Sequence, residues 1–309
     1  MDLRIIPLTL LATFFVSCSH IGNLKNDQVV RLAQEDIEIK DYNIHPGSTK
    51  LVYVPVKNSF RDGELYCDEK VVGMDRVGDY YRAFVSANYY AVGPSFSCFI
   101  KKKLDKNTYL SFHVMNFNVI PYEYPFNKLN VPKKHVDLAE KDVQRWLKEK
   151  EILKKVYSEA IMDRALFTGA FVRPLNSKVT SVYGTKRIFN NKKESWHSGV
   201  DFRARRPTPI PVSNRGKVVF TGHLFFNGKT VIVDHGLGIF TLYCHLSKID
   251  AKVGTIVEKG NILGLSGNTG RSSAPHLHWG TRVQGNWING LDLIDQTLVF
   301  ENQTSTAQK

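Results

Sequence analysis

The chain lacks any helix-turn-helix or zinc-finger ligand pattern, and its 42 Lys and Arg are scattered rather than gathered into one arm. Nucleic acid is therefore not an expected partner. Beyond the first residues no run is long and apolar enough to span a bilayer, which takes roughly 18 to 20 residues. Nor does the composition have the bias of a disordered chain: 42% of its 309 residues are hydrophobic and 23% charged, enough for two domains. Acidic residues are in deficit, 29 against 42 basic, for a net charge of +13. Such a surface attracts anionic partners over a Debye length of about 8 Å at physiological salt. Cysteine is scarce, with four in all.

At the start, Met1 to Cys18 place one Arg before a short apolar run that stops at small residues. That pattern reads as an export signal rather than a membrane span. Its ending, Phe15-Val16-Ser17-Cys18, resembles a bacterial lipobox, whose Cys is lipidated. Phe15 and Asp2 depart from the usual pattern, and an ordinary secretory signal is the alternative. The expectation is a lipoprotein-type signal over 1–17, lipidation at Cys18, and a polar tether over 18–44. The protein would be exported to the cell envelope, as a periplasmic lipoprotein held to the membrane by its lipid or, alternatively, secreted.

Between residues 45 and 125, short alternating runs such as Leu51 to Val54 and Leu110 to Val114 are separated by turn pairs such as Asp62-Gly63 and Lys106-Asn107. A small antiparallel β-sandwich follows. It holds Cys67 and Cys98, for which an oxidising compartment favours a disulfide over two buried thiols. In the segment 126–168, apolar residues recur at helical spacing (Val136, Val143, Leu147, Leu153), with Lys and Glu between them. The period predicts an amphipathic helical linker from Val136 to about Phe167. From 169 to 300 the texture turns to short β-branched runs bounded by Gly, the mark of a compact β domain. Residues 301–309 read as a tail. The fold class is thus mainly β.

Three fragments of that last domain can supply a metal centre: His197-Ser-Gly-Val-Asp201, Tyr243-Cys-His245-Leu, and Pro275-His276-Leu-His278-Trp279. Catalytic zinc takes three N or O ligands and keeps one position open. On a strand His276 and His278 share a face while Leu277 turns away. His197 and Asp201, four apart, share one face as well. Any one pair is weak evidence; three in one small domain are not.

These fragments, with the Gly267-Asn-Thr-Gly270 turn before the last, resemble the lysostaphin/LytM-type zinc metallopeptidases, whose motifs run H-x-x-x-D, Y-x-H-L and P-H-L-H. The resemblance covers about 169 to 293, including Thr180 to Gly184 with Arg187, Val233 to Gly236, and Leu246 to Ile249. It implies an antiparallel β-sheet or barrel-like domain with one Zn2+ per chain on His197, Asp201 and His278. His245 and His276 would be the non-ligating catalytic pair, general base and oxyanion stabiliser, in an order the motifs leave open. The implied activity is endopeptidase cleavage of peptidoglycan cross-links with zinc-bound water as nucleophile. A lipobox would favour D-alanyl to diaminopimelate bonds. The alternative is a latent or non-enzymatic regulator that activates cell-wall amidases. Cys244 departs from the familiar Ala or Met; on a strand it would face away from His245 and pack. Arg187, Asn227, Tyr243 and Trp279 are candidates to line a groove, each equally explained by packing.

Overall fold

The computed structural model describes residues 29–32, 37–91, 93, 95–129, 139–190 and 193–301. The expected signal, Cys18 and nearly all of the tail lie outside these. Among the described residues no helix is long and apolar enough to cross a membrane.

The N-terminal half runs β1 (Val29–Leu32), β2 (Lys40–Ile44), β3 (Thr49–Pro55), β4 (Glu64–Cys67), β5 (Lys70–Val72), β6 (Met74–Val77), β7 (Tyr80–Ser86), β8 (Ser95–Lys103) and β9 (Thr108–Val119). One sheet has the order β1-β9-β8-β4-β5, with β2 also on β9, and a second has β3-β7-β6. Their inner faces enclose an apolar core around Phe60, Leu65, Ile100 and Phe117. Two features depart from the expectation. Residues 40–44, assigned to the tether, form a strand, and both β1 and β2 pair with β9 in parallel. The sheet is therefore mixed. Lys40 to Ile44 hides from a sequence reading because only Ile44 is buried. Cys67 stands directly opposite Cys98 on β4 and β8, and the two form a disulfide.

The linker is only partly helical. β10 (Phe126–Leu129) pairs with a strand of the C-terminal half, and α1 runs Glu140–Ser158. It stops short of the expected Phe167 because the chain beyond is captured elsewhere. Asp234 accepts from the Ile161 backbone N–H at 3.0 Å, and Ala165 bridges to Gly236. The helix buries no residue fully. Its Leu153 and Tyr157 instead rest against Ile232, Phe240 and Leu242 of the main sheet.

The C-terminal half comprises β11 (Val179–Ser181), β12 (Lys186–Phe189), β13 (Lys193–Trp196), β14 (Gly199–Arg203), β15 (Pro209–Pro211), β16 (Gly216–Leu224), β17 (Gly228–Asp234), β18 (Ile239–Leu246), β19 (Lys248–Ile249), β20 (Ile256–Val257), β21 (Ile262–Leu265), β22 (His276–Val283), β23 (Asn286–Ile288) and α2 (Gly290–Thr297). Its main sheet has the order β11-β14-β22-β18-β17-β16-β20 and does not close on itself. The expected antiparallel sheet is present, open rather than closed into a barrel. Val200, Phe202, Tyr243, Leu277 and Trp279 fill the core on one face. Pleating sends their neighbours Asp201, Cys244 and His278 to the other.

The halves share more than a tether. Phe84 of the sandwich lies in one cluster with Phe167, Phe171, Leu237 and Leu293. The Ser86 hydroxyl donates to the Val283 carbonyl at 2.8 Å, and the Tyr89 ring stacks on Trp196 at 4.1 Å.

Candidate metal centre

β14 and β22 pair so that Asp201 stands opposite His278 and Arg203 opposite His276. Residues directly opposite on an antiparallel pair share a face, so one ladder step delivers two of the three candidate ligands. His197 precedes β14 and is held from both sides. Its backbone N–H donates to the Thr185 carbonyl, and its own carbonyl accepts from Gly184. Gly199 is required between them, because a Cβ there would come within 2.8 to 2.9 Å of the His278 ring.

The proton positions follow from the acceptors. The His197 Nδ1 lies 2.9 Å from the Val182 carbonyl. A carbonyl only accepts, so Nδ1 carries the proton and Nε2 presents a lone pair. That Nε2 is 2.9 Å from Asp201 Oδ1 and 3.0 Å from His278 Nδ1, while His278 Nδ1 is 2.9 Å from the same carboxylate oxygen. All three residues are at most 9% exposed. Burial alone would raise the Asp201 carboxyl; the His197 and His278 rings beside it overturn that and hold it well below the usual carboxylate range. Burial pushes His278 down, toward the neutral imidazole.

Three ligand atoms crowded within about 3 Å, with His197 Nε2 unprotonated, make a poor hydrogen-bonded cluster and a good cation cradle. A tetrahedral zinc with bonds of about 2.0 Å separates its ligands by about 3.3 Å, close to the spacing here. The donor set therefore fits zinc, with two imidazoles and one carboxylate leaving a net positive ion.

His245 and His276 complete the cluster, their ring centroids 4.7 Å apart. His245, next to last in β18, has φ at +62°, a conformation that costs a non-glycine residue about 1 to 3 kcal/mol. The surroundings impose it. Its N–H donates to the Asn227 carbonyl, and its Nδ1 lies 2.8 Å from the Thr269 carbonyl. The Nδ1 of His276 is likewise 2.8 Å from the Ala274 carbonyl, with its Nε2 3.7 Å from Asp201 Oδ1. In both rings the proton sits on Nδ1 and Nε2 is left to face the centre. Burial, followed by the neighbouring His278, lowers His245 to about 4, so it is neutral at physiological pH.

The same positive φ breaks the alternation that would set Cys244 on the face away from His245 and the site. Cys244 stands opposite His278 and packs among Ile232, Phe240 and Leu242. Asn227 donates to its sulfur, and burial pushes the thiol up to about 11. It stays protonated and outside the ligand group.

Of the groove candidates, Tyr243 and Trp279 are fully buried on the core face. Tyr243 belongs to a hydroxyl network with Thr241, Ser213 and His235. Asn227 instead supports His245, and Arg187 donates to Ser181, whose hydroxyl lies 3.2 Å from His197 Nδ1. Sequence reasoning missed the role of the linker. Arg145 and Glu149 of α1 bond the His223 carbonyl and the Phe225 N–H, and Trp146 meets Phe226 edge-on. That loop carries the Asn227 carbonyl that fixes His245. A cavity of about 210 Å³ lies elsewhere, between the sandwich and Gln284 and Asn286, and holds none of the five site residues.

Residues 195–290 match the model of Peptidase family M23. The chain is similar to the peptidoglycan DD-endopeptidase ShyA of Vibrio cholerae serotype O1, 40% identical over 126 residues that make up 40% of this chain and 29% of that one. It is also similar to the DD-carboxypeptidase/endopeptidase Mpg of Neisseria gonorrhoeae, 39% identical over 93 residues, 30% of this chain and 21% of that one. The match thus spans less than a third of either relative. Among solved structures, a candidate peptidase M23 from Pseudomonas aeruginosa superposes with a TM-score of 0.62 at 25% identity. That likeness covers 81% of this chain and 95% of the other, so it reaches well beyond the metal-binding domain.

Proposed function

The chain carries a Peptidase family M23 domain, and from it we propose that the protein is a zinc-dependent endopeptidase that hydrolyses the peptide cross-links of bacterial peptidoglycan. The observation that carries this reading is the convergence of His197 Nε2, Asp201 Oδ1 and His278 Nδ1, with the free Nε2 atoms of His245 and His276 beside it. His197, Asp201 and His278 hold one zinc ion. Bound there, zinc supplies a Lewis acid that polarises a peptide carbonyl and makes water acidic near neutral pH.

The remaining chemistry belongs to the two other imidazoles. His245 is neutral, and both rings have Nδ1 against a backbone carbonyl, so each turns Nε2 toward the reacting groups. One takes the proton of the attacking water and passes it to the leaving amine; the other, carrying a proton from solvent, donates a hydrogen bond to the developing oxyanion. Locking both rings by carbonyls of rigid turns means little reorganisation is needed at the moment of reaction.

Export and attachment to the membrane through a lipid on Cys18 accord with a substrate in the cell envelope. The mass of the mature N-terminal peptide tests that part.

The central test is metal analysis of the full chain together with digestion of purified peptidoglycan and mass spectrometry of the products. About one zinc per chain with chelator-sensitive release of uncrosslinked peptides is expected. Bound zinc without products would favour a latent or amidase-activating regulator, and absence of zinc would overturn the mechanism.

A further inference from the structure

β14 alternates cleanly. Val200 and Phe202 are buried in the core, at 1% and 0% exposure. Asp201 goes to the metal centre, and Arg203 follows it on the same face, exposed, at the end of the strand. Its ladder partner is His276. Side chains so placed have Cβ atoms about 5 Å apart, and a guanidinium on its three-carbon stem reaches well past an imidazole. His276 leans toward Asp201, its Nε2 3.7 Å from that carboxylate. Arg203 therefore stands across from His276 and one same-face step beyond Asp201, at the edge of the reacting groups.

Several arginines of the described chain are committed, and those left unpaired besides Arg203, namely Arg61, Arg205 and Arg206, lie off the strand that carries Asp201. Arg82 pairs with Asp75, Arg145 with Glu149, and Arg215 with Glu258. The guanidinium of Arg203 has no hydrogen-bond or ion-pair partner among the described residues. Nor is it the end of a floppy loop. The backbone just beyond is pinned, with the hydroxyls of Thr208 and Ser266 both donating to the Arg205 carbonyl at 2.6 Å. An unpaired guanidinium carried on a fixed strand end beside a hydrolytic centre can receive a carboxylate, because its planar fork matches a carboxylate bidentately.

The chemistry of a peptide bond says which carboxylate that is. The residue that contributes the carbonyl has consumed its carboxyl in the bond. The residue that contributes the nitrogen keeps its own, and it is free only where that residue ends a chain or joins through a second amine, as a diamino acid does in a cross-link. We propose that Arg203 is a specificity-determining residue that binds the free carboxylate of the residue on the amine side of the scissile bond. The substrate class is then peptides with a carboxylate on the carbon bearing the scissile nitrogen, including D-alanyl to diaminopimelate cross-links. Internal bonds of an unbroken chain, such as glycyl-glycine, are disfavoured. In the reaction water's oxygen bonds to the carbonyl carbon, the C–N bond breaks, the amine leaves with a proton, and the recognised carboxylate is unchanged. This inference rests on the hydrolase reading above and sharpens it.

The test uses the full zinc-loaded chain and two cross-linked muropeptide dimers, identical except that the amine-side carboxyl is free in one and a carboxamide in the other. The wild type is expected to favour the free acid by about tenfold to a hundredfold in kcat/KM, the range of a charge-assisted hydrogen-bonded pair. In Arg203→Gln the ratio should fall to within about threefold of unity, through loss on the acid substrate, and Arg203→Lys should recover part of it. Equal cleavage of both dimers by the wild type, or an undiminished preference in Arg203→Gln, would overturn the proposal while leaving the hydrolase standing. Cleavage of neither dimer would remove both.

Discussion

The two halves of the molecule are both β structures with apolar cores, yet they use their sheets in opposite ways. In the N-terminal sandwich the two sheets bury their inner faces against each other, and a disulfide bridges two neighbouring strands. In the C-terminal half the main sheet buries one face, covers part of the other with α1, and spends the rest on a cluster of four buried or nearly buried polar rings and a carboxylate. The second arrangement is costly. It demands a glycine under the His278 ring, a left-handed histidine, and committed backbone carbonyls for three imidazoles. A fold accepts such costs for chemistry, and the contrast locates the chemistry in one half and leaves support to the other.

The sharpest way to break that assignment is to remove a ligand. His278→Ala should abolish stoichiometric zinc and lower peptidoglycan cleavage by about a thousandfold or more, measured by metal analysis and product release. Persistent zinc at full occupancy would move the centre elsewhere. His276→Ala should separate holding from reacting: zinc stays, and kcat falls by about a hundredfold to ten-thousandfold, the usual worth of a general acid or base. Unchanged turnover would refute its role.

Smaller in effect, and aimed at the other half, is the disulfide. It closes a loop with a sequence separation of 31 residues, for which loop-closure reasoning gives about 3 to 4 kcal/mol. Cys67→Ala with Cys98→Ala should lower the stability by that order in chemical denaturation and leave zinc content alone. A loss of zinc in the folded double variant would mean that the shared Phe84 cluster couples the halves tightly enough to erase the division.

What the sequence made legible follows the same contrast. The runs at Leu51, Leu110, Val218, Thr230 and Ile239 all lie in strands, because alternation and turn residues are local properties. The side chains of the centre could be picked out because their types and spacings carry the chemistry. The rest is invisible for physical reasons. The Val182, Thr269 and Ala274 carbonyls that set three tautomers are backbone atoms with no side-chain identity. Cys244 packs as its place on a strand suggests, but its facing relative to His245 is not legible, because a single positive φ at His245 undoes the strand rule. Neither β2 nor β10 reads as a strand, since each gains its place by pairing with a distant partner, β9 and β12. Likewise the amphipathic period gave α1 but not its docking on the loop at Phe225, a contact between residues 76 apart.

The seam between the halves yields the smallest effect and the finest probe. Asn289 caps α2 and donates to Asp292 at 3.1 Å, while its own N–H donates to the Gly47 carbonyl of the sandwich. Burial, then the nearby Asp295, raises the Asp292 carboxyl to about 6, against a smaller opposing pull from His45. A carboxyl with a raised folded-state pKa binds its proton more tightly when folded. Its contribution is fully present below the unfolded value of about 4 and is lost as pH rises through about 6. Allowing for solvent screening, the loss is about 1 to 2 kcal/mol. Asp292→Asn removes this titration while keeping an acceptor for Asn289. The stability of the variant relative to the wild type should therefore climb between pH 4 and pH 6 and level off above. A difference that stays flat across that window would mean that Asp292 titrates as an ordinary, hydrated carboxylate. The seam would then be open to water, and the two halves would be joined by the Phe84 cluster and its neighbouring hydrogen bonds rather than by a sealed interface.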